Sequence, residues 1–279
     1  TPPVGQYYSV VTDDDKPYNV YGGLQDNNVW YGPSTNQESP RWQSAGDYPY
    51  KALIGGDGMQ VQVDTRDNTT TYAGSQFGAY SRLNRKTRGD RKSVRPQHEL
   101  GEKPLRFNWQ TPILLSKHNQ DIFYIGANRL YRSLSKGDSL IGMSGDLTNG
   151  KVAGNVPYGT LTTLSESPLR FGMLYAGTDD GNISLSKDGG YTWEQLNQTK
   201  TTPPVKKGSK SMASDSRLQT NNLWVSRVTA SKHNVSRVYV SLNGYRFDNF
   251  APYLYVSDDY GTTWKQIGND LPYEPINVV

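Results

Sequence analysis

Short apolar runs alternate with polar turn residues along the chain. Residues 160–166 alternate between apolar and polar side chains, residues 173–177 form a short apolar run, and residues 183–186 and 193–196 follow after turns rich in Asp, Gly and Asn. Alternation with a period of two, broken by such turns, predicts short β-strands. We therefore expect this stretch to form a four-stranded antiparallel sheet.

The same pattern recurs with a period of about fifty residues. In five places an apolar run ends on a tyrosine that is followed, two residues later, by glycine or serine, and these are Tyr21, Tyr72, Tyr124, Tyr175 and Tyr239. Successive tyrosines are 51, 52, 51 and 64 residues apart. The long last step contains residues 201–222, a polar stretch rich in Pro, Ser and Lys that is typical of a surface insertion. A fixed period indicates a repeat architecture.

Repeated four-stranded sheets of this length pack radially as the blades of a β-propeller, and we predict this all-β fold class. A series of separate hairpin domains is the alternative. We expect residues 1–279 to be one propeller segment, with blades at approximately 5–54, 55–104, 105–155, 156–200 and 223–274 and a polar insertion at 201–222. Residues 275–279 resemble the opening of a further first strand, so the blades are expected to belong to a larger propeller.

A second motif recurs at the turn between the third and fourth strands of repeats four and five. It reads Ser-x-Asp-x-Gly-x-Thr-Trp and comprises Ser186, Asp188, Gly190, Thr192 and Trp193, then Ser257, Asp259, Gly261, Thr263 and Trp264. The carboxylate accepts N–H groups of a tight turn, glycine allows a positive φ, and the indole packs between sheets. These residues are predicted to be structural. Residues 133–140 are a degenerate copy, with Ser135 for Asp and Leu140 for Trp, and we expect a looser turn there.

This motif, the Asp-box, and its spacing resemble those of bacterial secreted repeat proteins known as BNR-repeat, sortilin-like or glycosyl-hydrolase-like proteins. The resemblance covers essentially the whole chain and is most specific at residues 21–27, 55–58, 107–112, 126–133, 177–182 and 224–227. It implies a secreted or cell-surface propeller, commonly part of a longer chain. It implies little about chemistry, because hydrolase names in this group are more common than established activities.

Composition and charge limit the classes of function. The absence of cysteine excludes disulfides, thiolate metal sites and thiol nucleophiles. A mean hydropathy of −0.74, with no long apolar run, predicts no membrane span. The net charge is +4, and much of it lies in one stretch with Arg82, Arg85, Lys86, Arg88, Arg91, Lys92 and Arg95. Because no aromatic residues are interleaved with these cations, we interpret the stretch as a solvated loop and expect no nucleic-acid partner.

The loops between second and third strands share one rim of a propeller with the links between blades, whereas the Asp-box turns lie on the other rim. The first rim collects polar and aromatic side chains that suit a carbohydrate or protein ligand. The candidate ligand-binding residues are Asp26, Asn27, Asn108, Trp109, Asn128, Arg129, Tyr158, Trp224, Arg227, Tyr245 and Arg246. Roughly half of the polar rim residues are expected to be turn formers, because Asp and Asn favour tight loops. Inter-blade packing is the alternative role of the two tryptophans.

Glycoside hydrolysis is the alternative function, and it requires two carboxyl groups across the scissile bond, one with a raised pKa. The rim candidates are Asp57, Asp179, Asp180 and Asp248. Glutamates are scarce on that rim, so we favour a binding or assembly module over a hydrolase. A passive scaffold within a larger assembly is a third hypothesis. His118 and His233 occupy equivalent turn positions and His98 stands alone, so neither a metal site nor a cofactor is expected.

Overall fold

The computed structural model is an all-β structure that describes residues 5–37, 39–87, 89–150, 158–198 and 218–279. Its strands form five four-stranded antiparallel sheets, the blades of a β-propeller, and this confirms the predicted fold class. In each sheet the strands are neighbours in the order in which they follow along the chain. None of the helices in the described ranges has the length and apolar character needed to cross a membrane.

The first three sheets lie within residues 7–142. The first contains β1 Tyr7–Thr12, β2 Asn19–Leu24, β3 Val29–Pro33 and β4 Lys51–Ile54, with helix α1 Arg41–Ala45 in the connection before β4. The second contains β5 Gln62–Val63, β6 Thr70–Ser75, β7 Ala79–Asn84 and β8 Arg91–Ser93. The third contains β9 Ile113–Leu115, β10 Phe123–Gly126, β11 Leu130–Ser133 and β12 Ile141–Gly142.

The fourth and fifth sheets follow, separated by a short parallel pair. The fourth contains β13 Leu161–Glu166, β14 Leu174–Thr178, β15 Ile183–Ser186 and β16 Glu194–Gln195, and the pair is β17 Asn197–Gln198 with β18 Leu218–Gln219. The fifth contains β19 Trp224–Ala230, β20 Val238–Gly244, a 3-10 helix Tyr245–Phe247, β21 Asn249–Ser257 and β22 Lys265–Gln266. Residues 201–217 of the predicted insertion lie outside the described residues.

The chain divides into two compact units, Thr1–Ile125 with Tyr131–Ile141, and Gly126–Leu130 with Gly142–Val279. In the first unit, Tyr21 and Val29 of the first sheet share a core with Val63 and Ala73 of the second. In the second unit, the core joins residues of the fourth and fifth sheets, among them Tyr175, Leu185, Val225 and Val240. The apolar core of each unit therefore lies between neighbouring sheets, as blade packing requires.

The tyrosine that marks each repeat lies in the second strand of its sheet, and the hydrogen bonding of its hydroxyl group differs between repeats. The Tyr21 hydroxyl donates to Oδ2 of the buried Asp13 at 2.8 Å, and the Tyr72 hydroxyl donates to the Lys136 carbonyl at 3.2 Å. The Tyr175 hydroxyl is buried without a hydrogen-bond partner among the described residues. Tyr21, Tyr72 and Tyr175 are thus equally buried but differ in their hydrogen bonding.

A second repeated position, which was not predicted, lies eight residues before each of these tyrosines. It holds Asp13, Asp64, Ser116, Ser167 and Ser231, all of them buried. The side-chain oxygen accepts N–H groups of the turn after the first strand, as when Ser116 Oγ bonds the His118 N–H at 3.2 Å and Ser231 Oγ bonds the His233 N–H at 3.1 Å. The two histidines follow this position in the same way, so they occupy equivalent turns.

The Asp-box turns are closed by their own side chains. Asp188 Oδ1 accepts the Thr192 N–H at 2.9 Å while Oδ2 accepts the Thr192 hydroxyl at 2.6 Å, and Asp259 bonds Thr263 in the same way at 2.8 and 2.6 Å. The bonds from Thr192 are the main reason that the pKa of Asp188 is lowered to about 2. Each tryptophan donates its ring N–H to its own turn, Trp193 to the Gly190 carbonyl and Trp264 to the Gly261 carbonyl, both at 2.9 Å.

The degenerate turn of repeat three keeps the backbone of the complete ones. Ser133 Oγ accepts the Gly137 N–H at 2.9 Å, as Ser186 Oγ accepts the Gly190 N–H at 2.8 Å. Lys136 and Gly137 have φ of 57° and 88°, close to the 64° and 93° of Tyr260 and Gly261. The serine–glycine bond therefore holds the turn without the carboxylate, and its predicted looseness stays a prediction about stability.

The motif glycines contact the sheet before their own. A Cβ at Gly137 would lie 2.5 Å from Val94 Cγ1, one at Gly190 would lie 3.2 Å from Met143 Cβ, and one at Gly261 would lie 2.5 Å from Leu196 Cδ1. Val94, Met143 and Leu196 each follow directly after the last strand of the preceding sheet. Glycine is therefore required for its positive φ and for the closeness of the neighbouring sheet.

We predict that Gly261→Ala destabilises the protein more than Gly101→Ala. Both glycines have a left-handed backbone, with φ of 93° and 87°, but nothing lies within 4 Å of a Cβ at Gly101. The control should cost about 1 kcal/mol for the backbone alone, and Gly261→Ala should cost about 1 to 3 kcal/mol more for the forced contact with Leu196. Urea unfolding measures the free energy of unfolding of both variants. Equal losses in the two would show that the close contact with Leu196 adds nothing to the cost of the substitution.

We also predict that Tyr21→Phe lowers the free energy of unfolding by about 1 to 3 kcal/mol, because it removes a hydrogen bond to a buried carboxylate. Tyr175→Phe is the matched control at the equivalent position. It removes a buried hydroxyl that has no partner among the described residues, so stability should stay the same or rise. Thermal and urea unfolding of both variants test this, and equal losses in the two would contradict it.

Candidate functional site

In every blade, the loop between the second and third strands contacts a blade link. The Asn28 N–H donates to the Gly56 carbonyl at 2.8 Å in the first repeat, and the Phe77 N–H donates to the Trp109 carbonyl at 3.2 Å in the second. The remaining repeats make related contacts through side chains. Asn128 bonds Asp146 of the following link, Asp180 bonds Asn149 of the preceding link, and Asn243 near the end of β20 bonds Asn277 after the fifth sheet. These loops and links form the loop-and-link rim, and its candidate residues are described below for each unit separately.

In the first unit the rim carries an aromatic cluster around Trp109. The Trp109 ring N–H donates to the Tyr8 hydroxyl at 3.0 Å, and that hydroxyl donates to Gln25 Oε1 at 3.1 Å. The Phe77 ring meets the indole edge-on, with 5.3 Å between ring centroids. Gln110 donates its side-chain amide to the Tyr8 carbonyl at 3.0 Å. The indole is held on several sides but remains 36% exposed.

The other predicted residues of the first unit mainly support the rim backbone. Asp57 Oδ1 accepts the Asp26 N–H at 2.8 Å, and Asp26 has a left-handed backbone with φ of 54°. The Asn27 carbonyl accepts the ring N–H of Trp30 at 2.6 Å. Asn108 is buried and accepts the Gln110 N–H at 3.1 Å. These contacts are those of turn formers, while their contact with a ligand stays a prediction.

In the second unit, Asp179 and Asp180 are both buried, and each is bonded to a different part of the blade link. Asp179 Oδ1 accepts the N–H groups of Gly159 and Thr160, both at 2.9 Å, and Oδ2 accepts the Thr160 hydroxyl at 2.5 Å. Asp180 accepts the Thr178 hydroxyl at 2.5 Å and the Asn149 N–H at 2.8 Å. The two carboxylates therefore fasten the link to the fourth sheet.

Burial decides the ionisation of these two groups. It raises the pKa of Asp179 to about 6, against the opposing effect of the bonds from Thr160, and the charge of Asp180 adds to the rise. Burial also raises the pKa of Asp180. A carboxyl with a raised pKa is one requirement of a general acid. Asp248, the remaining candidate of this unit, is exposed in a left-handed backbone with φ of 55°.

Three candidates of the second unit lie close together in the fifth blade. The Arg246 guanidinium lies 4.0 Å from the Trp224 ring centroid and 4.5 Å from that of Tyr245. Arg227 is half-buried in β19, and burial lowers its pKa. Tyr158 and Arg129 are also half-buried, whereas Asn128 is buried and donates to Asp146 Oδ2 at 3.0 Å.

The basic stretch of the second blade bonds mostly to the chain itself. Asp138 pairs with Arg82 at 3.0 Å and with Lys92 at 2.6 Å, and Arg85 pairs with Asp15. Arg95 lies over the Phe107 ring at 4.5 Å. Arg88 lies outside the described residues. Most of this positive charge is therefore matched by acceptors and rings of the same unit.

Tyr8, Thr160 and Asn149 belong to the rim, and sequence reasoning missed them. Tyr8 lies 101 residues from its partner Trp109, and no local pattern connects such distant positions. Thr160 was predicted to lie in a strand because apolar and polar residues alternate around it. That pattern does not predict its hydrogen bond to Asp179. Comparison with models of protein families gives no match to this chain, and comparison with the sequences of curated proteins gives none.

We predict that the ionisation of Asp179 makes stability depend on pH. Because its pKa in the folded state, about 6, lies above the usual 3.8, its contribution is fully present below pH 4 and is lost as the pH rises to about 6. Asp179→Asn removes this ionisation, so its free energy of unfolding should fall less than that of the wild type between pH 4 and pH 7. Urea unfolding measures the difference, with the exposed Asp248→Asn as control. A wild-type pH dependence in Asp179→Asn would contradict the assignment.

Proposed function

We propose that this protein is a binding module whose loop-and-link rim takes a carbohydrate, at a secreted or cell-surface location. The observation that carries the proposal is Trp109, which is 36% exposed although Tyr8 and Phe77 both contact its ring. A large aromatic ring left partly in water costs free energy that a ligand can recover by covering it. Because the ring is already fixed, little conformational entropy is lost when a ligand binds.

Carbohydrate suits this cluster for two chemical reasons. The apolar face of a sugar ring packs on an indole, while its hydroxyls need donors and acceptors at the edge of that ring. The Tyr8 hydroxyl and the amides of Gln25 and Gln110 supply such groups around Trp109. A protein segment is the other ligand class considered for the rim, and its backbone amides would use the same groups.

Glycoside hydrolysis is the second candidate, and the pKa of Asp179, raised to about 6, is the observation that favours it. Three donors already occupy the two oxygens of this carboxyl group. A general acid needs an oxygen that reaches the leaving group. We therefore rank binding ahead of hydrolysis.

The test is a glycan array probed with the wild-type protein, followed by calorimetric titration with the best-bound glycan. We expect Trp109→Ala to weaken that affinity at least about 10-fold, which corresponds to the loss of about 1.4 kcal/mol of stacking. Tyr191→Ala is the matched control, because Tyr191 is an exposed aromatic residue on an Asp-box turn, and it should bind like the wild type.

Three results would contradict the proposal. They are an array without any bound glycan, a Trp109→Ala variant with wild-type affinity, and equal losses in Trp109→Ala and Tyr191→Ala. Hydrolysis of the bound glycan that disappears in Asp179→Asn, while binding persists, would replace the binding function by the glycosidase. Circular dichroism of each variant shows whether the fold is retained.

A further inference from the structure

The 3-10 helix after β20 and the start of β21 expose three large aromatic side chains within six residues. Tyr245 is 43% exposed, Phe247 is 62% exposed and Phe250 is 41% exposed. The 3-10 helix Tyr245–Phe247 has no buried residue, so the connection hides none of these rings in a core of its own. Several large apolar side chains exposed together mark an interaction surface more often than a solvated loop.

A guanidinium completes this surface. Arg246 is exposed, and its Cζ lies 4.0 Å from the Trp224 ring centroid and 4.5 Å from that of Tyr245. Among the described residues, Arg246 makes no ion pair or hydrogen bond. Contacts with two aromatic rings orient the planar group and leave its N–H donors for an acceptor from outside.

The connection is anchored at its base. The Asp248 N–H donates to the Tyr245 carbonyl at 3.2 Å, and Asp248 takes a left-handed backbone with φ of 55°. Asn249 donates its amide to the Tyr253 hydroxyl at 2.8 Å and accepts the Ala251 N–H at 3.2 Å. The exposed rings therefore project from a turn that is already ordered. Little conformational entropy is lost when a partner binds it.

We propose that residues 245–250, with Trp224, form a protein-docking surface for a partner that presents carboxylates beside an apolar patch. Charge complementarity identifies the partner: Arg246 is exposed, and its donors, which have no partner among the described residues, lie beside the Trp224 and Tyr245 rings. Tyr, Trp, Phe and Arg are also the residues that dominate the energy of protein interfaces.

A carbohydrate suits this surface less well than it suits Trp109. The guanidinium covers the Trp224 face that a sugar ring would need, and Phe247 and Phe250 offer no hydrogen bonds at their edges. The surface uses none of the residues around Trp109. It therefore goes beyond the proposed carbohydrate binding, and either function can be present without the other.

The experiment is selection of a random peptide display library on the immobilised wild-type protein, followed by affinity measurements of the enriched peptides on the wild type and on each variant. We expect enriched peptides that combine Asp or Glu with aromatic or branched apolar residues. A synthesised peptide should lose at least about 10-fold in affinity to Arg246→Gln and to Phe247→Ser, and its affinity should fall as salt is raised. Lys187→Gln is the matched control, because Lys187 lies 5.0 Å from the Tyr260 ring on an Asp-box turn.

Enriched peptides without acidic residues, or peptides that bind Arg246→Gln as tightly as the wild type, would overturn the proposal. So would the absence of any enriched peptide. A polyuronate that binds the wild type, loses affinity in Arg246→Gln and competes with no peptide would make this an anionic-glycan site instead. If Arg246→Gln is unfolded, the peptide affinities of Phe247→Ser and Lys187→Gln are compared instead. A loss in Phe247→Ser alone supports the proposal, and equal affinities overturn it. Trp109→Ala should bind the peptide as tightly as the wild type. Failure of the docking proposal can therefore be distinguished from failure of the proposed carbohydrate binding.

Discussion

The close approach of each Asp-box turn to the sheet before it is the constraint on which the rest of the structure depends. A Cβ added at Gly137 or Gly261 would lie 2.5 Å from Val94 or Leu196, and one added at Gly190 would lie 3.2 Å from Met143, so a side chain would be crowded at all three positions. Each partner follows directly after the last strand of its sheet, so the contact joins the same two points in successive repeats. A contact that recurs at equivalent points fixes how closely these three turns approach the sheets before them.

At the loop-and-link rim, backbone requirements come before any ligand. Asp26 and Asp248 adopt left-handed backbones, Asp57 caps the Asp26 N–H, and Asp179 holds the link that precedes its own blade. A loop without regular ladders must find partners for its N–H groups, and short polar side chains supply them. The groups that remain for a ligand are therefore mainly rings and guanidinium groups, because these make few backbone bonds.

Features whose contacts are local in sequence could be predicted, and those with distant partners could not. The Asp188 turn closes within eight residues, so its motif is a sufficient description. The Trp109–Tyr8 bond joins two blades, and the local sequence around either residue does not indicate its partner. The position before each marker tyrosine was present in the sequence but changes from Asp to Ser between repeats. It was missed because a carboxylate and a hydroxyl accept the same N–H groups, so function is kept while residue identity is not.

The contrast between Asp179 and Trp109 bears on the choice between catalysis and binding. The pKa of Asp179 is raised by burial, and the same burial encloses both of its oxygens with donors from Gly159 and Thr160. A raised pKa on a carboxyl group whose oxygens already accept three hydrogen bonds follows from packing a link against a sheet and needs no substrate to explain it. The indole of Trp109 presents the opposite case, since its ring N–H is satisfied internally while 36% of the side chain stays exposed to water. Folding alone accounts for the carboxylate, whereas the exposed part of the ring gains further free energy of burial only when something outside the chain covers it.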